Sequence, residues 1–197
     1  MAHPHDATPE YTFTDDYGPG RTSAETAWRW QQAGERRDIE LARSLLAPDV
    51  VLRMPATDQW SWEGASEVIE LLTMVFRTLE VISFQDDLGN EDVRVLRLLG
   101  RVQSVDFEEV HFLWFDGRHR VREAAFFIRP GLGLAAVTEA LGPQILHANH
   151  SRGLGKIAHH FLRTARRVID KVDRHIIPRG VPNREAGSPM MNRGSEG

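Results

Sequence analysis

The 197 residues predict an α+β fold, with helices packed on the concave face of a curved antiparallel sheet. Two observations carry this. Up to about residue 80 the apolar residues recur mostly at helical spacing, interrupted by one short strand-like run, and from Val81 the period changes. Four strand-like segments follow, Val81 to Asp86, Asp92 to Val102, Phe107 to Phe115 and Arg120 to Ile128, separated by Gly89-Asn90, Gln103-Ser104 and Asp116-Gly117. Asp-Gly between two such runs predicts a hairpin, because a type I′ turn needs positive φ at both central residues.

In chain order, Thr22 followed by Glu25 forms a capping-box pattern that starts a helix running to about Gly34. Asp38 caps a second, short helix whose Ile39, Leu41, Ala42, Leu45 and Leu46 keep helical spacing until Pro48. Val50, Val51 and Leu52 read as a strand entering a loop from Pro55 to Glu63. Gly64 and Ser66 precede a helix in which Val68, Ile69, Leu71, Leu72, Val75, Phe76 and Leu79 leave little polar surface. Gly100 is expected to mark a bulge in the sheet. A short helix from Leu134 to Leu141 is expected to break at Gly142-Pro143. From Leu154, the residues Ile157, Phe161, Ala165, Val168, Val172 and Ile176 form an apolar stripe with Lys156, Arg163, Arg166, Arg167, Lys171 and Arg174 on other faces, a basic amphipathic helix. From about Val181 the composition is that of a disordered tail. The domain reading is therefore a flexible segment over 1–20, a domain over 21–143, a basic helical extension over 144–180 and a disordered tail over 181–197.

A mass of 22.3 kDa, 41% hydrophobic residues and a mean hydropathy of -0.37 suit one soluble domain with an extension, and exclude collagen-like, wholly disordered and membrane-spanning classes. The absence of cysteine excludes a disulfide framework, a thiolate metal site and a cysteine nucleophile. Together with a polar N-terminus that lacks a secretory pattern, it leads to the expectation of a cytoplasmic protein. Residues 1–130 hold 14 basic against 23 acidic residues, and residues 131–197 hold 10 against 5, so an acidic body carries a basic tail.

Ala27-Trp28, Leu46-Ala47-Pro48-Asp49-Val50-Val51, Gly64 before the long helix, Phe115-Asp116-Gly117-Arg118, and Phe126-Phe127-Ile128-Arg129-Pro130, in this order of elements, resemble the nuclear-transport-factor-2-like superfamily. Within it they are similar to the SnoaL-like group of polyketide cyclases, ketosteroid isomerases and limonene epoxide hydrolases. The resemblance spans roughly Thr22 to Pro143. It implies a cone-shaped fold around an apolar pocket and a homodimer paired through the outer sheet face, onto which Val110, Phe112 and Trp114 alternate. The family's catalytic carboxylates do not carry over. Met54 stands before Pro55 where ketosteroid isomerases place a basic carboxylate, and Ala124, with Glu123 beside it, falls where the last strand would bear one.

A two-residue Asp116-Gly117 turn pairs His111 with Arg122, Leu113 with Arg120, Glu109 with Ala124 and Phe107 with Phe126, all on one face. A four-residue loop preserves that grouping, and a three-residue loop destroys it. Glu109, His111 and Arg122 would then form a catalytic cluster. Histidine is suited to general base work at neutral pH, Glu109 would fix its tautomer, and Arg122 would hold an enolate or alkoxide oxygen. The plainer alternative is a cross-strand ion pair. Trp28, Met54, Asp58, Trp60, Trp62 and Phe126 are the candidate ligand-binding residues, aromatic and adaptable surface at a pocket mouth, with core packing as the alternative. His147, His150, His159 and His160 match no zinc spacing, and Gly131-Leu132-Gly133 is no phosphate loop, so neither a metal nor another cofactor is expected.

The sequence thus points to a pocket for an apolar small molecule, with isomerase, cyclase or epoxide-hydrolase chemistry. Non-catalytic binding or dimerisation, and a membrane-peripheral role through the C-terminal helix on an anionic surface, are the alternatives. No nucleic-acid motif is present.

Overall fold

The computed structural model describes residues 18–53, 55 and 61–148. The residues 154–178 expected to form a basic helix, the tail beyond them, and Met54, Asp58 and Trp60 lie outside the described residues. The described elements run α1 Ser23–Arg36, α2 Ile39–Ser44, β1 Leu46–Arg53, β2 Ser61–Glu63, α3 Ala65–Thr78, β3 Val81–Gly89, β4 Val93–Val102, β5 Val105–Phe115, β6 Val121–Arg129 and α4 Gly131–Ala148. The six strands form one sheet in the order β2-β1-β6-β5-β4-β3, antiparallel except where β1 runs parallel to β6. The α+β arrangement read from the sequence is the one observed.

Local chemistry explains where the helices begin. The Thr22 hydroxyl accepts from the Glu25 N–H at 3.1 Å, and the Glu25 carboxylate reaches back to the Arg21 N–H at 2.8 Å. Asp38 caps α2 by accepting from the Leu41 N–H at 2.9 Å. That helix is shorter than its apolar spacing suggests. It ends at Ser44 because Leu46 pairs with Val121 of β6, and the Leu45 carbonyl accepts from the Val121 N–H. Pro48 therefore lies inside a strand, at the point where the β1–β6 pairing shifts register.

Four further expectations change. Ser61–Glu63, read as loop, pairs with Val51 to Arg53 as a short edge strand. Gly142-Pro143 does not end α4, which continues to Ala148. Gly100 is not a bulge: it pairs regularly with Phe107 and Ile82, and its missing side chain makes room for the Phe107 ring. The β3–β4 register shift falls between Phe84 and Asp86 instead. The two-residue turn with positive φ at both positions is formed by Gln103 and Ser104, at 49° and 59°, and not by Asp116-Gly117.

The helices lie across the concave face of the sheet. The core joins Trp30 and Ala33 of α1, Leu41 and Leu45, Leu71, Leu72 and Phe76 of α3, and Ala136 and Leu141 of α4 to Leu96, Leu98, Phe107, Leu113 and Phe126 of the strands. The opposite, convex face carries charged pairs in rows across the strands: Asp86 with Arg97, Arg97 with Glu108, and Glu108 with Arg129. No helix among the described residues is long and apolar enough to cross a membrane.

Candidate functional site

The hairpin between β5 and β6 decides which side chains share a face. Asp116 and Arg120 close a three-residue loop, Gly117-Arg118-His119, through the Asp116 N–H and the Arg120 carbonyl at 2.9 Å, with His119 at φ 58°. A three-residue loop alone would invert the alternation. A register shift between Trp114 and Phe115 restores it, because Arg122 is an extra residue on β6 opposite no partner. His111 then lies opposite Phe126, Glu109 opposite Ile128 and Leu113 opposite Ala124, four residues away from the pairing that a two-residue turn gives. Glu109 and His111 still face the concave side, as expected. Arg122 does not join them: it is exposed at the bulge, its guanidinium donating to the Phe115 carbonyl at 3.1 Å.

On the concave face a cavity of about 70 Å³ is enclosed by α1, α3, α4 and strands β3 to β6. Its wall is apolar, with Phe76, Phe84, Phe107, Ile128, Val137 and Leu141 among its members. Among the described residues two exceptions, Glu109 and His111, share one stretch of β5, and no described Lys or Arg lines the wall. Both are buried. His111 stacks on Phe126 at 4.0 Å between ring centroids and meets Phe84 and Trp30 edge-on. The Trp30 indole Nε1–H donates to His111 Nδ1 at 3.2 Å. An indole nitrogen only donates, so Nδ1 must be the bare acceptor and Nε2 carries the ring proton. Nε2 lies 3.5 Å from Glu109 Oε1, too far for a good hydrogen bond, and is buried without any other partner.

The remaining candidates scatter. Phe126 lines the cavity. Trp28 is half-buried on α1 away from the cavity wall, and Trp62 is buried on β2 opposite Leu52. Trp30 is the tryptophan of α1 that lines the cavity. The buried residues of α1, Ser23, Thr26, Ala27, Trp30, Ala33 and Gly34, form a stripe at helical spacing, and Ala27 as an anchor selects Trp30 over Trp28. Glu123 points to the convex face, bonded to Arg53 at 2.7 Å, while Ala124 is buried on the inner face. No group of three His, Asp or Glu side chains capable of holding a metal occurs among the described residues, and the imidazoles of His147, His150, His159 and His160 lie outside them.

No family model matches the chain, and no curated protein is similar to it in sequence. Solved structures are similar in fold. A steroid delta-isomerase from Pseudomonas aeruginosa superposes with a TM-score of 0.60 at 25% identity, covering 69% of this chain and all of the other. The chain has the fold of that isomerase, the cone-like nuclear-transport-factor-2-like fold. Two cystatin-like-fold proteins share the backbone of this nuclear-transport-factor-2-like domain. One, from Silicibacter pomeroyi, has a TM-score of 0.58 at 20% identity over 61% of this chain and 84% of its own. The other, from Xanthomonas campestris, has 0.50 at 18% over 57% and 95%. In the nuclear-transport-factor-2-like cone of this chain the polar atoms of the cavity come from the middle of β5.

Proposed function

We propose that the cavity binds a small apolar molecule bearing a carbonyl group and shifts a proton on it, an isomerisation. The observation that carries this is the buried, unpartnered Nε2–H of His111 beside the Glu109 carboxylate in an apolar wall. A donor held in an apolar wall is suited to an oxygen that gains charge, and a carboxylate with no Lys or Arg beside it among the described residues is suited to take a proton. Glu109 removes a proton from the carbon next to the carbonyl, and the C–H electron pair forms the enolate double bond. His111 donates to the resulting oxyanion, and Glu109 returns the proton to a carbon further along, moving the double bond with no net change in composition. Epoxide hydrolysis would need a positioned water as well, so isomerisation asks least of these two side chains. Likeness to a steroid isomerase does not extend to the ligand: about 70 Å³ is far below the roughly 300–1,000 Å³ of pockets for drug-sized molecules.

The test offers the full-length chain a panel of small β,γ-unsaturated ketones, reading conjugation by ultraviolet absorbance and binding by titration calorimetry. Turnover is expected, with Glu109→Gln lowering it by about 10²–10⁴-fold. Turnover unchanged in Glu109→Gln would overturn the reading. Binding without turnover would leave a ligand-binding module instead.

Assembly and location complete the proposal. The convex sheet face exposes Phe127 to 58% beside Phe112 and Trp114, an aromatic patch that a second copy would cover in a homodimer. The basic pattern of residues 154–178 supports packing back on the acidic body ahead of contact with an anionic membrane. A cysteine-free sequence supports a cytoplasmic setting.

A further inference from the structure

We infer that Trp30 is the positioning residue of this site: its indole N–H dictates which nitrogen of His111 carries the proton, and so makes His111 a hydrogen-bond donor and leaves Glu109 as the only base. For its kinetic consequence the inference rests on the function proposed above. The tautomer assignment stands on the geometry alone.

The two neutral tautomers of an imidazole differ only in which nitrogen donates. In the Nδ1–H form, the proton of His111 would point at the Trp30 N–H, donor against donor at 3.2 Å between two buried side chains. Nε2 would then be a bare lone pair 3.5 Å from a carboxylate oxygen, acceptor against acceptor. Both contacts reverse to favourable in the Nε2–H form. A half-turn flip of the ring keeps its plane against Phe126 and Phe84 but sets a carbon in place of Nδ1 opposite the Trp30 N–H and so gives up that hydrogen bond. Among the described residues, the other groups facing the ring are apolar or aromatic, Trp30 from α1, Phe84 from β3, Leu96 from β4 and Phe126 from β6, and Glu109 is the titratable neighbour.

Trp30 touches no reacting atom in this scheme. It acts through His111 across 81 positions of sequence, from the third turn of α1 to the centre of β5. The order of roles differs from a catalytic base oriented by a carboxylate: here an indole orients, the imidazole donates and the carboxylate accepts.

The test uses the full chain with 15N-labelled histidine, His111 being identified by the signals lost in His111→Gln. In the wild type, the neutral form of His111 is expected to show a protonated Nε2 and a bare Nδ1. Trp30→Phe keeps an aromatic ring at the position and removes the donor, so both tautomers should become populated while the other histidine signals stay in place. With a ketone that the wild type isomerises, Trp30→Phe should lower kcat by about two- to tenfold, the value of one neutral hydrogen bond, and leave KM nearly unchanged. Protonated Nδ1 in the wild type would overturn the assignment without any variant. Unchanged tautomer signals in a folded Trp30→Phe protein would equally overturn it. Absence of turnover on every ketone would defeat the proposed function and leave the spectroscopic result to decide this one.

Discussion

A Cβ added to Gly100 would lie 2.3 Å from the Phe107 ring, and one added to Gly133 would lie 2.4 Å from the Phe107 Cβ. The buried phenyl group that forms part of the cavity wall is thus seated between two glycines from β4 and α4. Overpacking a rigid aromatic costs about 1–3 kcal/mol, so Gly100→Ala should lower the thermal midpoint, with the fold retained by circular dichroism. An unchanged midpoint would mean that the ring moves freely. Gly100 was visible in the sequence as a glycine inside a strand and was read as a bulge, and the position of Phe107 on the neighbouring strand shows that it serves close approach instead. The same holds for the site itself. Glu109 and His111 share a face because alternation on one strand is local, whereas their tautomer partner Trp30 comes from a helix that no local pattern places beside them.

Among the elements, the β5–β6 hairpin shows how a correct face arose from an incorrect turn. Asp116 holds the loop with its carboxylate: Oδ1 accepts from the Arg118 and Arg120 N–H groups at 2.8 and 2.9 Å, and Oδ2 accepts from the Arg120 guanidinium at 2.8 Å. Burial tends to raise the Asp116 carboxyl, but these backbone and side-chain donors outweigh it and hold the group below its ordinary value of 3.8. A depressed value in the folded state means stability that is present above the unfolded value and is lost as pH falls through the folded one. Asp116→Asn should therefore melt below the wild type at pH 7, and the difference should close as the pH drops below about 3.9. Melting curves at several pH values check this, and a difference that grows in acid would refute it. The loop length was not legible because Asp-Gly fits several hairpins. The compensating bulge at Arg122 depends on how β6 is also held by β1 on its other side.

For the molecule as a whole, the two faces of the sheet are built differently. The concave face is covered by helices, while the convex face combines cross-strand charge pairs with the patch formed by Phe112, Trp114 and Phe127. Burying that patch against a second copy predicts a mass of two 22.3 kDa chains by sedimentation at micromolar concentration. A chain ending at residue 148 should also sediment as a pair, since the patch lies wholly within the described domain. Phe127→Asp, which sets a charge at the exposed ring of the patch, should shift both toward single chains. Single chains from the unaltered protein would contradict the dimer. A pair that forms only when residues 149–197 are present would transfer the interface to the tail.

What the sequence determined by itself was the class of fold, the starts of α1 and α2, the strand run from Val81 and the inward face of Glu109 and His111. Each of these follows from caps, turns and periodicities spanning a few residues, where the cause and its effect are neighbours in the chain. Tertiary structure alone decided that Arg122 leaves the site, that Trp30 enters it and that the His111 proton sits on Nε2. Register and hydrogen-bond partnership across distant segments are set by how the helices close over the sheet, and a one-residue bulge or one donor from another element reverses an assignment that local pattern permits.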